Sequence, residues 1–429
     1  MSTHDGEEAQ VGERRRQNAV TPGAGRSVLA NGKAYSGGRR KHVVVVDDIP
    51  TPYRIALFKA IQAIAPFRLS IVWLAARGRE KLWNLNVEGS GLEVYAARDW
   101  QLFIPSVDRR ITISRNIVGI VKRLHPDVVV TGGYHQTGYW QCLYYAITRR
   151  RPLICWSGAT PGNERSENRA IHALKRFYLH RCAHLIAYGS EAAELFRIRG
   201  GDPARIHKVF NTTDLAAVRS ATSSIRGRDG KRDGPVRLLS VGRLMRDKGI
   251  QCLLEPLCRL RGEFEFELRL VGDGPYRDEL KSLVRDMNIS DRAFFAGYVQ
   301  QEQLAEHLAW ADVFLFASTY DVWGIVVNEA LAGGLYVLSS ILAGVTVDLI
   351  DPTISGQPFD PRSPESVYEA LRATLERIDW IRSTREERSK WVMRFDAAES
   401  AKEFVRVCEL ALRNGAIDAA SRSEMSAMD

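Results

Sequence analysis

No apolar run in this chain of 429 residues approaches the roughly 18 residues needed to cross a bilayer as a helix, which excludes a helical membrane protein. The first 30 residues lack the apolar core of a secretory signal, so the expected location is the cytoplasm. Cysteine is scarce. The six present (Cys142, Cys155, Cys182, Cys252, Cys258 and Cys408) contain no C-x-x-C pair, which argues against a disulfide framework or a zinc site and for reduced thiols. No Asp-x-Asp pair closes a predicted strand, and neither a metal nor a cofactor is expected. No short-period repeat occurs. With 45% hydrophobic and 26% charged residues, the composition is that of a globular protein, and the length suits two or three domains.

What is present is an uneven charge. Residues 43–214 carry 24 basic and 14 acidic side chains, net +10, whereas residues 236–429 carry 23 and 31, net −8. A basic half facing an acidic half points to an anionic partner for the former, or to a solvated surface with chance asymmetry. No nucleic-acid recognition motif accompanies the charge, so nucleic acid is not an expected partner.

Strands alternate with helices through most of the chain. Residues 1–42, rich in Gly, Ser, Arg and Glu, read as a disordered tail. Val43-Val44-Val45-Val46 opens an α/β unit over 43–214, the continuous β-branched run predicting a parallel strand buried on both faces. Residues 215–235 read as a linker or surface loop. A second α/β unit spans 236–385, a helical segment 386–413, and a flexible tail 414–429. The pattern predicts two Rossmann-like domains facing a cleft.

Three clusters in the second unit carry chemistry. Gly242-Arg243 and Lys248-Gly249 follow the first strand of that unit. An arginine and a lysine at a strand's carboxyl end suit a diphosphate, since one bridges two oxygens and the other supplies a mobile charge. Two solvated surface cations are the plainer account. Gly272-Asp273-Gly274-Pro275 follows the next strand, and glycines there admit close approach of a ligand or simply make a tight turn. Asp321-Val-Trp-Gly-Ile-Val-Val-Asn-Glu329 leads from a strand into a helix whose first free amides favour an anion. Its two carboxylates match sugar hydroxyls, unless Asp321 is only a helix cap and Glu329 a surface residue.

In this order and spacing, these motifs resemble the donor domain of GT-B glycosyltransferases, in particular the large retaining family four. Asp321 to Glu329, followed by Ala330-Leu331-Ala332, is similar to that family's acid–seven residues–Glu motif, with Asp in place of the more usual first Glu. Gly242-Arg243 with Lys248-Gly249, Gly272 to Pro275, and Phe295-Ala296-Gly297 are similar to three further family motifs. The resemblance implies a GT-B fold and transfer of a sugar from a nucleotide diphosphate sugar, a co-substrate, with retention of configuration and without metal. It implies that Arg243 and Lys248 neutralise the diphosphate. Glu329 would bind ribose, and Asp321 the transferred sugar. Backbone at Gly324 and Ile325 would hold phosphate beside Gly272 and Gly274, with Tyr298 and Val299 near the base. In the first unit, Pro52-Tyr53-Arg54 is again similar to many family members, and Arg54, His135 and Ser157 are the candidate cleft or acceptor residues at strand ends. Arg54 as a loop anchor and His135 as an exposed histidine are the alternatives.

The expected acceptor is a glycan or a lipid-linked sugar, and an anionic membrane surface is an expected partner of the basic half. Ile171, Leu174, Phe177 and Tyr178 form one helical stripe, which reads as core packing, with neighbouring cations placed to meet lipid. The expected function is thus a glycosyltransferase of glycan, polysaccharide or glycolipid biosynthesis, cytoplasmic and peripheral to the inner face of the membrane. A sugar-nucleotide epimerase of the same fold and a non-catalytic nucleotide-sugar-binding protein are the alternatives.

Overall fold

The computed structural model describes residues 39–75, 87–97, 99–104, 109–163, 168–227 and 234–414. The expected tails lie outside the described residues except for 39–42 and 414. The architecture is two parallel α/β sheets, as the alternating pattern predicts.

The first sheet contains β1 (His42–Asp47), β2 (Arg68–Trp73) and β3 (Glu93–Ala96). A separate antiparallel hairpin follows, β4 (Asp99–Ile104) and β5 (Arg109–Ser114), and then β6 (Val128–Thr131), β7 (Leu153–Ser157), β8 (His184–Ala187) and β9 (Ile206–Lys208). The spatial order is β3-β2-β1-β6-β7-β8-β9. β1 is buried at every position because helices cover both faces. Val44 and Val46 meet helices Ile117–Leu124 and Thr137–Arg149. Val43 and Val45 meet helix Pro52–Ile64 and the distant helix Ala397–Asn414. Each such side chain, fully buried, contributes about 1.5–3 kcal/mol.

The second sheet contains β10 (Val236–Val241), β11 (Phe266–Val271), β12 (Ala293–Gly297), β13 (Val313–Phe316), β14 (Tyr336–Ser340) and β15 (Gly356–Phe359), in the order β12-β11-β10-β13-β14-β15. The order reverses beside β10, so the loops after β10 and β13 diverge from a common crevice.

The structure corrects three expectations. Residues 215–226, expected as linker, form a helix. Asp214 caps it by accepting from the Ala217 amide, and Arg226 donates to the carbonyls of Leu308, Ala309 and Gly333 in the second unit. The single helical segment expected over 386–413 is instead helix Arg385–Trp391, a 3₁₀ turn Val392–Phe395 and helix Ala397–Asn414. The break falls at Asp396, whose carboxylate accepts from the amides of Leu215, Ala216 and Ala398, so one side chain caps two helix starts. Lastly, Ile171, Leu174 and Phe177 are not core: they are 42%, 52% and 45% exposed. Helix Arg169–His180 reaches the sheet only through Tyr178 and Leu179, with the Tyr178 hydroxyl 2.9 Å from Thr131 Oγ1.

Candidate active site

Lys248 and Asp321 come from loops 73 residues apart yet form an ion pair at 2.8 Å, each about one-fifth exposed. Local geometry holds them there. The chain turns at Gly249 with φ +68°, and a Cβ at that position would lie 1.9 Å from the Ala317 carbonyl oxygen, so only glycine lets the two loops meet. The Thr319 amide and Ser318 hydroxyl then donate to the Asp247 carbonyl at 2.8 and 3.2 Å. Asp321 is not the cap of the next helix. Its Oδ1 accepts from the Trp323 amide at 3.2 Å, and Gly324 is the residue that starts helix Ile325–Ala332. Gly324 has φ +101°, and a Cβ there would strike the Phe316 ring at 2.5 Å. Arg243 is exposed at the end of β10.

Glu329 lies inside that helix and is 7% exposed, not a surface residue. Gln301, just beyond Tyr298 and Val299, places its amide 3.5 Å from Glu329 Oε1. Burial pushes the carboxyl up to about 7, and the Gln301 amide offsets this only in part. Tyr298 is 38% exposed at the end of β12. Gly272 and Gly274 face neighbouring backbone: a Cβ would lie 1.8 Å from the Gly242 carbonyl oxygen or 2.3 Å from that of Leu244. Their missing side chains therefore let these loops pack on one another.

The first sheet has its own strand-end cluster. Arg54 is 3% exposed. Its Nε lies 3.1 Å from Asp47 Oδ2, it donates to the Tyr188 hydroxyl, and its guanidinium stacks 4.0 Å from the Trp156 ring centroid. Nη1 has no hydrogen-bond acceptor among the described residues. Burial works against the charge, but Asp47 and the surrounding tyrosines hold the Arg54 pKa above its usual value, while burial raises that of Asp47 despite Arg54. His135 Nε2 is 3.3 Å from Asp48 Oδ2, and the Tyr139 hydroxyl donates to Asp48 Oδ1 at 2.7 Å. Although burial opposes it, these bonds hold the Asp48 carboxyl below its ordinary value. Ser157 is buried, and its hydroxyl accepts from the Ala159 amide at 3.2 Å.

The structure thus pairs Lys248 with Asp321 ahead of the helix that begins at Gly324 and Ile325 and carries Glu329, and it places Arg54, His135 and Ser157 near strand ends of the first sheet. The sequence reading missed Asp47, Tyr139, Tyr188, Gln301 and Trp323. Tyr188 lies just past β8, and no motif in the sequence marks it. Among the described residues no three His, Cys, Asp or Glu side chains converge to hold a metal, and no helix is long and apolar enough to cross a membrane.

Residues 222–391 match the family model described as glycosyl transferases group 1. This stretch resembles a group 1 glycosyl transferase domain. It holds all the second-sheet candidates. Among curated relatives, an uncharacterized glycosyltransferase of Methanocaldococcus jannaschii is 26% identical over 229 residues, covering 52% of this chain and 58% of that protein. The alpha-monoglucosyldiacylglycerol synthase of Streptococcus pneumoniae is 34% identical over 116 residues, covering 27% and 26%. The chain therefore spans less than two thirds of these relatives. A solved structure, Anabaena HepE in complex with UDP, superposes with a TM-score of 0.68 at 17% identity over 86% of this chain and 99% of that one. At that identity the likeness establishes the fold, which is GT-B.

Proposed function

We propose that the protein transfers a sugar from a nucleotide diphosphate sugar to a hydroxyl acceptor with retention of configuration. The observation that carries this reading is the Lys248–Asp321 ion pair in the loop that leads into helix Ile325–Ala332, which carries the buried Glu329, with Arg243 exposed at the end of β10. The donor diphosphate takes Lys248 from Asp321, gains Arg243, and rests its β-phosphate on the free amides at Gly324 and Ile325. Glu329 accepts hydrogen bonds from ribose hydroxyls, Asp321 from the sugar, and Tyr298 lies near the base. The bond between the anomeric carbon and phosphate oxygen breaks, the acceptor oxygen bonds to the same carbon on the same face, and the acceptor proton passes to the departing phosphate oxygen. Concentrated positive charge stabilises the departing nucleoside diphosphate, an effect usually worth several kcal/mol of barrier.

A glycan or lipid-linked acceptor is the reading favoured for the first half. HepE was solved with UDP, and the streptococcal relative is named for a glycolipid. Helix Arg169–His180 adds support for an anionic membrane partner. It exposes Ile171, Leu174 and Phe177 beside Arg169, Lys175, Arg176 and Arg181, and no acid occurs from Asn168 to Ser190.

The test is thermal stabilisation by UDP, GDP and ADP and their sugar derivatives, followed by turnover of whichever donor binds. Binding at 100 times its Kd raises stability by about 2.7 kcal/mol. Arg243→Ala and Lys248→Ala should fold and lose most turnover; normal turnover in either removes the diphosphate role. Co-sedimentation with phosphatidylglycerol vesicles should occur at low salt and fall in Leu174→Glu. Its absence in the wild type would remove the membrane reading alone.

A further inference from the structure

Trp323 stands between Asp321 and Gly324, in the loop that carries the proposed donor contacts, yet its side chain points away from them. It is 2% exposed. Its indole Nε1 donates to Asn328 Oδ1 at 3.0 Å, and Asn328 Nδ2 lies 3.5 Å from Thr212 Oγ1. The ring packs on Phe210 at 6.0 Å between centroids. Its far edge reaches Gly189, the residue that precedes helix Ser190–Ile198 after β8 of the first sheet. A Cβ at Gly189 would lie 2.2 Å from Trp323 Cζ3. Gly189 is extended, with φ −178°, so any residue suits its backbone. What requires glycine there is the space taken by the indole and by Asp348 Oδ2, which the same Cβ would meet at 2.6 Å.

A second contact clamps the same point. Asp348, from helix Thr346–Leu349 of the second half, accepts from the Ser190 amide and hydroxyl, each at 2.7 Å. Gly189 and Ser190 are thus held between two side chains of the other half. The loop itself has little freedom. Asp321 Oδ1 accepts from the Trp323 amide, the Asp321 carbonyl accepts from the Gly344 amide at 3.1 Å, and Gly324 has no room for a side chain. Movement of the indole must therefore be passed to Asp321 on one side and Gly324 on the other.

We propose that Trp323 is a positioning residue, which sets the donor-sugar loop by the location of Gly189 in the opposite half. The sugar end of the donor site is then in register only when the acceptor half is correctly seated. This deepens the donor-site reading above and rests on it. Glu329 follows Asn328 in the helix but turns its carboxylate to Gln301 and not to the indole, so the nucleotide end should feel the change least.

The experiment compares wild type, Gly189→Ala, Trp323→Phe and the double variant. Two quantities are measured: Kd for the nucleoside diphosphate that the wild type binds from UDP, GDP and ADP, and kcat for hydrolysis of the corresponding nucleotide glucose. Gly189→Ala should lower kcat at least tenfold and change the nucleoside diphosphate Kd less than threefold. Trp323→Phe keeps a ring but loses the Asn328 bond, and should lower kcat about threefold to tenfold. Because phenylalanine lacks the Cζ3 edge, only the Asp348 contact remains in the double variant, whose loss should be well below the product of the two single losses, a non-additive result. Wild-type kcat in Gly189→Ala would overturn the proposal. So would losses that multiply in the double variant, or a Kd that worsens as much as kcat. If Gly189→Ala does not fold, Trp323→Phe still decides, through its kcat loss at unchanged Kd. A wild type that binds none of the nucleotides instead removes the donor-site reading, and this proposal with it.

Discussion

The strand-end clusters of the two sheets hold charge in opposite ways. In the first, Arg54 is enclosed by Asp47, Tyr188 and Trp156 and almost unexposed. In the second, Lys248 and Asp321 pair at the mouth of a crevice, and both remain partly in water. An enclosed pair is part of the scaffold, because removing one member leaves a buried charge uncompensated. A pair at the mouth can be exchanged, since water and a ligand can take the place of either partner at small cost. The enclosed pair is thus suited to rigidity, and the partly exposed pair to exchange.

The sharpest way to break it is Arg54→Met. If Arg54 is scaffold, the variant should lose about 3–5 kcal/mol of stability through the stranded Asp47. Chemical denaturation would read this, and a loss below about 1 kcal/mol would put Arg54 with the exchangeable charges. The next test uses Glu329, the one buried acid of the second cluster. Its carboxyl is raised from the ordinary 4.5 to about 7, so the folded state holds its proton more tightly than the unfolded chain. The folded state is therefore favoured by this group below pH 4.5, and that stabilisation is lost as pH rises through about 7. At 1.36 kcal/mol per unit the loss is about 3 kcal/mol at pH 8. Glu329→Gln should be more stable than wild type at pH 8 and nearly equal to it at pH 4. Thermal melts across that range decide the matter, and a difference independent of pH would contradict the raised value. The smallest effect on stability is expected for Lys248→Ala, within about 1 kcal/mol of wild type. Its nucleoside diphosphate affinity should nonetheless fall, whereas Asp321→Asn should leave that affinity nearly unchanged and lower turnover. Calorimetry on both variants would sharpen the contrast, and equal losses of affinity would assign Asp321 to the diphosphate.

Much of the fold was legible because strands buried on both faces leave an unmistakable run such as Val43 to Val46, and because glycines mark the loops after β10 and β11. Helix 215–226 was misread from its serines and arginines, although Asp214 ahead of Leu215 is a cap signal visible in the sequence. The stripe Ile171-Leu174-Phe177 was read correctly as a stripe, but periodicity does not say what a face will meet. The order of the second-sheet motifs was legible over about 100 residues. The surroundings of Arg54 were not: Asp47 and Trp156 come from β1 and β7, Tyr188 follows β8, and they meet only through the order of the sheet. Trp323 shows the same limit, since its nearest constraint, Gly189, is 134 residues away.

Helix Ala397–Asn414 packs on the first sheet after the chain has completed the second. The polypeptide therefore crosses between the halves twice, near Asn211–Asp214 and again at Asp396, and the two crossings are tied by the bonds from Leu215 and Ala216 to Asp396. The halves are consequently not separable by a single cut. A fragment ending near residue 235 would leave Leu57, Phe58 and Ile61 without Phe404 and Val407 over them, and so present an apolar, aggregation-prone face. The same fragment supplied with residues 397–414 as a separate peptide would regain its cover. Fragment complementation, and not truncation, is the way to obtain the first half alone.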